Sequence, residues 1–306
     1  MIDIIAHNFK GEKNPEIKCL DMGFVRLVDV MPRVSYEENI TTCDFAIAQA
    51  ARTSYASGTK TINEDKGLIR YLMRHRHTTP FEMVEFKFHM KLPIYCARQI
   101  IRHRTASVNE ESGRYSILKD DFHIFTPEEI RIQSSTNKQC SEGEANYVDA
   151  ETFVSQLNEI TEKAYQYYEE AVAKGIGREQ ARAILPVNIY TSWYWKIDCW
   201  NLLHFLALRC DKHAQKETQM FGNAILDLIT PLVPWTIEAW NEYHPMRDAI
   251  ILTAKEVAEL KKQITIYQLD EFGHRSSLKE NDVILNSGNK REDAEWLEKA
   301  KILGLT

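Results

Sequence analysis

The chain has 306 residues, 44% of them hydrophobic and 27% charged, enough for one large domain or two modest ones with a real core. Its net charge of −6 and pI near 6.0 argue against broad adhesion to nucleic acid or an anionic membrane, so any anion site must be local. No apolar run approaches the roughly 20 residues of a membrane span, and the start MIDIIAHNFKGEK lacks a basic segment followed by an apolar core; cytoplasm is the expected compartment.

In chain order, apolar and small residues recur at helical spacing from Ile40 to Ala56. A second helix is expected from a cap at Asn63 through Arg74, stopped by Thr78-Thr79-Pro80. Val84, Phe86, Phe88, Met90 and Leu92 then alternate with charged residues, the period-two pattern of a strand with one buried face. Pro93 opens a helix through His103 that ends in a basic cluster, where cations complement the helix dipole. Residues 120–149, rich in Ser, Asn, Gln and Glu, read as an inserted polar loop. A long helix over Glu151–Lys174 is closed by Gly175, and a short one over Arg178–Leu185 stops before Pro186. Alternation returns from Val187 to Ile197, giving a second strand. Helix follows from Cys199 through Ala214 to Ile229, broken near Pro231 and Pro234. Beyond Tyr243 the chain turns polar, with exposed helices expected over Glu256–Lys262 and Glu292–Lys301. The pattern is α+β, an antiparallel sheet flanked by long helices, with one domain over 1–244 and a C-terminal extension over 245–306.

Six cysteines (Cys19, Cys43, Cys96, Cys140, Cys199 and Cys210) show no paired spacing, so they read as reduced, mostly buried residues, and no metal site is expected. The chemistry concentrates in Arg98–Arg114, RQIIRHRTASVNEESGR, where four arginines stand among Ser, Gly, Gln, Asn and Glu. Guanidinium forks grip phosphate oxygens, and backbone N–H groups at Ser112, Gly113 and Arg114 would add donors. Taken alone, the window is equally a solvated basic helix end.

Arg102-His103-Arg104, seven residues and then Ser112 resemble the signature of flavin-dependent thymidylate synthases. The likeness extends through Gln99, Ser107, Asn109, Glu110, Gly113, Arg114 and Tyr115. It also takes in YLMRHRHTTPFE, with His77 and Thr79, and ARAILPVNIYTSWYWKID followed by NLLHFLALRCDKHAQ, with Arg182, His204, Arg209 and His213. RIQSSTNKQCSEGE is similar to a loop of longer members. The triplet Arg74-His75-Arg76 is a decoy, since Val84 follows at the serine position, and Trp200 stands where some members carry arginine.

The resemblance implies the fold of that family, assembled as a homotetramer, and methylation of dUMP to dTMP. Methylenetetrahydrofolate would be the carbon donor, and FAD reduced by NADPH the hydride source. It places Gln99, Arg102, Glu110, Glu111, Ser112, Gly113, Arg114, Arg182 and Arg209 on dUMP, with Arg209 and Ser112 in catalytic roles. FAD would be held by His77, Thr79, Arg102, His103, Arg104, Glu110, Asp198, His204 and His213, with His77 and His213 near the ring or the folate. Arg104, Arg114 and Arg209 are expected to converge on one cavity.

Duller readings exist for each residue. His204 in LLHFLALR could be a satisfied core histidine, Arg182 and Arg209 ion-pair partners of Glu179 or Asp211, and Trp193, Trp195 and Trp200 core or subunit contacts. At the level of function the rivals are a nucleic-acid-binding module and a flavin or nucleotide oxidoreductase of another family. The net charge opposes the first, and the lack of a GxGxxG motif after a strand opposes the second.

Overall fold

A computed structural model describes residues 14–32, 42–53, 62–135 and 141–243, with short stretches beyond. The chain divides into two compact units, residues 1–244 and 245–306.

In the first unit a five-stranded sheet runs in the order β1-β2-β3-β7-β4, every neighbouring pair antiparallel. Its strands are β1 (Glu16–Cys19), β2 (Gly23–Met31), β3 (Glu85–Pro93), β4 (Ser107–Glu110) and β7 (Tyr190–Asp198). The expected alternations are β3 and β7: Phe86, Phe88, Met90 and Leu92 of β3 and Trp193, Trp195 and Ile197 of β7 all point into the core, whereas Val187, expected to open the second strand, lies ahead of Tyr190 and is exposed. The outward residues between them, such as Lys87, His89, Tyr194 and Lys196, face away, as a pleat of period two requires.

Against the buried face pack α1 (Asp44–Thr53), α2 (Ile62–Arg74), the short α3 (Thr79–Glu82), α4 (Ile94–Ile100), α7 (Cys199–Arg209), α8 (Lys216–Ile229) and α9 (Pro234–Tyr243). Asn63 lies within α2 rather than capping it. α7 is capped by Asp198, whose carboxylate accepts from the Asn201 backbone N–H at 3.0 Å. Residues Cys199–Ile229 form two helices, not one, with a turn over 210–215 between them. Trp193 and Trp195 are core residues, Trp195 with its ring 5.1 Å from Phe205, and half-buried Trp200 packs its ring 5.8 Å from Phe81.

The long helix α5 (Tyr147–Ala173) begins four residues before the expected start, its N-cap Asn146 accepting from the Val148 N–H at 3.0 Å. Gly175 closes it at φ 79°, a conformation that suits a residue without Cβ. The short helix α6 (Arg178–Ala181) runs on as a 3₁₀ turn over Arg182–Ile184. The polar insertion is more structured than a loop: a 3₁₀ turn at Pro127–Glu129 precedes a two-residue ladder, β5 (Ile132–Gln133) with β6 (Ser141–Glu142).

In the second unit the described backbone includes a short antiparallel pair, β8 (Tyr267–Leu269) with β9 (Arg275–Ser277), which the sequence reading does not anticipate. Most of Glu256–Lys262 and Glu292–Lys301 lies outside the described residues. No helix among the described residues is long and apolar enough to cross a membrane.

Candidate active site

The basic signature starts where α4 ends. Ile101 closes the helix, and Arg102-His103-Arg104 turns the chain toward β4. Arg98, Arg102 and Arg104 are exposed, and among the described residues none of them has a carboxylate partner. His103 turns inward instead, its ring 4.9 Å from Phe205 and 5.8 Å from His204.

Arg209, the last residue of α7, meets this turn from the other side. Its Nε donates to His103 Nε2 at 3.1 Å, and its Nη2 donates to the Gln99 carbonyl at 3.1 Å. A guanidinium has only donors, so His103 Nε2 must be an acceptor and its ring neutral. Burial, and then the charges of Arg209 and His204, push the His103 pKa down from 6.5 to about 4. Burial also lowers the Arg209 pKa from its ordinary 12.5, though a guanidinium stays charged at neutral pH. Asp211 engages His213 at 2.8 Å rather than Arg209, so the ion-pair alternative for Arg209 does not hold. His204 is exposed and therefore is not a core histidine.

A second cluster surrounds the serine of the signature. Glu110, on the edge strand β4, accepts from Thr191 Oγ1 at 2.7 Å, and the Glu111 N–H donates to the Ser192 carbonyl at 2.8 Å, which prolongs the ladder with β7. The chain then turns tightly: the Ser112 carbonyl accepts from Tyr115 N–H at 3.0 Å, and its Oγ from Arg114 N–H at 3.3 Å. No histidine touches Ser112 among the described residues, so nothing is placed to activate it as a nucleophile. Gly113 is buried, and a Cβ there would lie 2.9 Å from Leu118 Cδ1 and 3.4 Å from Arg182 Cδ. Arg182 thus lies beside the serine turn although 69 positions separate it from Gly113. Glu179 pairs with Arg114 at 3.7 Å, leaving Arg182 without a carboxylate among the described residues.

The remaining expected residues sit elsewhere. His77 and Thr79 are exposed at the α2–α3 junction, with the His77 ring edge-on to Tyr71 at 5.8 Å. Asp198 caps the opposite end of α7 from Arg209; at a rise of 1.5 Å per residue, the 11-residue helix separates Cys199 from Arg209 by about 15 Å. Within one chain the expected convergence of Arg104, Arg114 and Arg209 on one cavity is not seen as contact: Arg209 belongs to the Gln99–His103 cluster and Arg114 to the Glu179 cluster. Arg131, Gln215 and Glu217, which the sequence reading assigns no role, form a hydrogen-bonded chain reaching Gln99. The only hint of them is a Gln-x-Glu pair opening an otherwise apolar helix.

Four of the thiols are buried and held protonated; Cys210 is half-buried, and Cys140 lies outside the described residues. Burial raises Cys19, Cys43 and Cys96 to about 12 and Cys199 well above its ordinary value. No group of metal-ligating residues occurs among the described residues.

The chain matches the model of the thymidylate synthase complementing protein family (Thy1) over residues 37–235. It is 46% identical to the flavin-dependent thymidylate synthase of Dictyostelium discoideum over 96% of its own length and 89% of that protein. For the Wolbachia pipientis enzyme of the same name the identity is 51%, covering 74% and 77%. Among solved structures it resembles a UMP/dUMP methylase of Streptomyces cacaoi bound with 5-Br dUMP, with a TM-score of 0.65 and 31% identity, over 74% of this chain and 98% of that one. A sheet whose edge strand carries a serine turn, an arginine locked to a neutral histidine across two helix ends, and relatives of this closeness lead to one conclusion: the chain belongs to the family of flavin-dependent thymidylate synthases.

Proposed function

We propose that the protein methylates dUMP at C5 of the uracil ring, taking carbon from methylenetetrahydrofolate with FAD reduced by NADPH. The observation that carries this reading is two sets of arginines without carboxylate partners among the described residues: Arg98, Arg102, Arg104 and Arg209 around the end of α4, and Arg182 beside the serine turn. A folded chain tolerates such a cluster where an anionic ligand supplies the missing charge. The tight approach at Gly113 also fits, because the absent side chain lets the serine turn pack against Leu118 and beside the Arg182 stem. Relatives carrying the flavin-dependent name and a solved relative holding a dUMP analogue support the same choice.

The flavin, when bound, supplies the hydride that completes the methyl group. The chain's own residues do the rest. C5 of neutral uracil is a weak nucleophile and becomes a strong one only when negative charge is carried on the N3 and carbonyl edge of the ring, a charge that must be stabilised. Arg209 is fixed by two hydrogen bonds and keeps a positive guanidinium ready for that charge. Neutral His103 accepts from Arg209 without competing for its charge, and Ser112 polarises the pyrimidine. Arg114 and Arg182 hold the phosphate with Gly113; Gln99, Arg102, Glu110 and Glu111 complete the nucleotide site. His77, Thr79, Arg102, His103, Arg104, Glu110, Asp198, His204 and His213 hold FAD, with the two ends of α7 about 15 Å apart suiting an elongated dinucleotide.

The two clusters are each open to solvent, so the reading includes a homotetramer in which several subunits wall each site. Exposed Tyr147, Val148, Phe153, Ile160 and Tyr167 on α5 supply apolar surface for such contacts. Residues 1–244 carry the activity, in the cytoplasm, and 245–306 form an extension. The test is flavin-dependent release of tritium from C5-labelled dUMP, with UMP run alongside because the solved relative is named for both. Yellow protein giving dTMP is expected; a colourless protein releasing no tritium with added FAD would overturn the reading.

A further inference from the structure

Glu217 is buried and 118 positions from Gln99, yet a continuous polar chain joins them. Its two carboxylate oxygens are divided: Oε1 accepts from Arg131 Nη2 at 2.9 Å, and Oε2 accepts from Gln215 Nε2 at 2.7 Å. Gln215 in turn accepts, through Oε1, a hydrogen bond from Gln99 Nε2. The Gln99 backbone carbonyl is the group that receives Arg209 Nη2.

The direction of this chain follows from chemistry. An ionised carboxylate can only accept, so the Gln215 amide must turn its NH₂ toward Glu217 and its carbonyl toward Gln99. Gln99 must then spend an N–H on Gln215, which leaves its own Oε1 as the acceptor of that amide. Without a fixed acceptor at the far end, both amides could flip with little penalty, and Gln99 would present donor or acceptor indifferently. Arg131, from the polar insertion, supplies the opposite charge that makes a buried carboxylate tenable. We infer that Glu217, braced by Arg131, is a positioning residue: through Gln215 it sets the Gln99 amide so that Oε1 accepts a donor hydrogen of the bound nucleotide, from its ring N–H or a ribose hydroxyl.

This rests on the proposal that the site binds dUMP, and the two can fail separately. Equilibrium binding of dUMP to the purified holoenzyme is measured for wild type, Glu217→Gln, Arg131→Met, Gln99→Leu and the doubles with Gln99→Leu. Glu217→Gln removes the fixed acceptor while keeping size, and Arg131→Met serves where Glu217→Gln does not fold. We expect each to weaken dUMP binding about tenfold, the scale of one lost hydrogen bond. Each should add less than about twofold in the Gln99→Leu background, because the amide it orients is gone. Breaking the buried Arg131–Glu217 pair should lower the unfolding midpoint of both variants, so the control is flavin content at a temperature well below that midpoint, which a collapse of the site would move and which should stay near wild type. Wild-type protein that binds no dUMP overturns the nucleotide site itself. Wild type that binds, with either variant binding equally well or losing the full tenfold in the Gln99→Leu background, overturns this inference alone.

Discussion

Replacing Arg209 with methionine separates the electrostatic part of the site from its packing. The methionine keeps most of the stem and removes the charge. Two hydrogen bonds disappear, those to His103 Nε2 and to the Gln99 carbonyl, both 3.1 Å long. Each contributes about 1 kcal/mol net, and half-exposed acceptors can be rehydrated, so the stability loss should be about 1–2 kcal/mol. For a unit of this size that lowers the melting midpoint by about 2–8 °C. Loss of a preorganised donor at developing charge costs far more in rate, about 100- to 1,000-fold in turnover. His103 reports on the same change: its pKa, near 4 through burial and then the Arg209 and His204 charges, should rise toward 6.5 when the guanidinium is gone. Tritium release, thermal unfolding and an NMR titration of His103 read these three quantities. Turnover within threefold of wild type would refute the assigned role, and an unmoved His103 titration would refute the coupling.

Other expectations follow from the same geometry. The folded pKa of His103 is depressed, so the unfolded chain binds the extra proton between about pH 6.5 and about 4, and wild type should lose stability relative to His103→Asn as pH falls through that window. The unscreened shift corresponds to roughly 3 kcal/mol and solvent screening reduces it to about 2; denaturant unfolding at pH 7 and 4.5 measures it, and a constant difference between the two proteins would exclude it. Asp44 is fully buried and accepts from Trp235 N–H, Thr236 N–H and Thr236 Oγ1 at 2.8, 3.0 and 2.6 Å, holding the start of α9. Asp44→Ala should therefore cost about 3 kcal/mol in urea unfolding, and a cost under about 1 would show that the bonds are replaced by water. Because burial keeps the Cys19, Cys43, Cys96 and Cys199 thiols protonated, iodoacetamide at pH 7 should leave these four unmodified in the folded protein, as read by peptide mass spectrometry; their alkylation at the rate of a free thiol would refute their burial.

The sequence by itself determined the strands β3 and most of β7, because Val84–Leu92 and Thr191–Ile197 alternate with a period of two, and most of the helices, whose apolar spacing needs no partner to be seen; the expected start at Val187 is three residues early. It also carried the signature residues, which lie within one short window. The other three strands of the main sheet needed the tertiary structure. In β2 the buried positions pass from Val25 and Leu27 to Val30, because a bulge between Leu27 and Asp29 changes the parity of the pleat and erases the alternation. β4, Ser107–Glu110, is exposed throughout and is a strand because β7 offers it a hydrogen-bonding edge. The pairing of Arg209 with His103, of Gly113 with Arg182, and of Gln99 with Gln215 and Glu217 joins residues about 70 to 120 positions apart. Such contacts are set by how α4, α7 and α8 pack on the sheet, and a side chain's type and local spacing do not encode that.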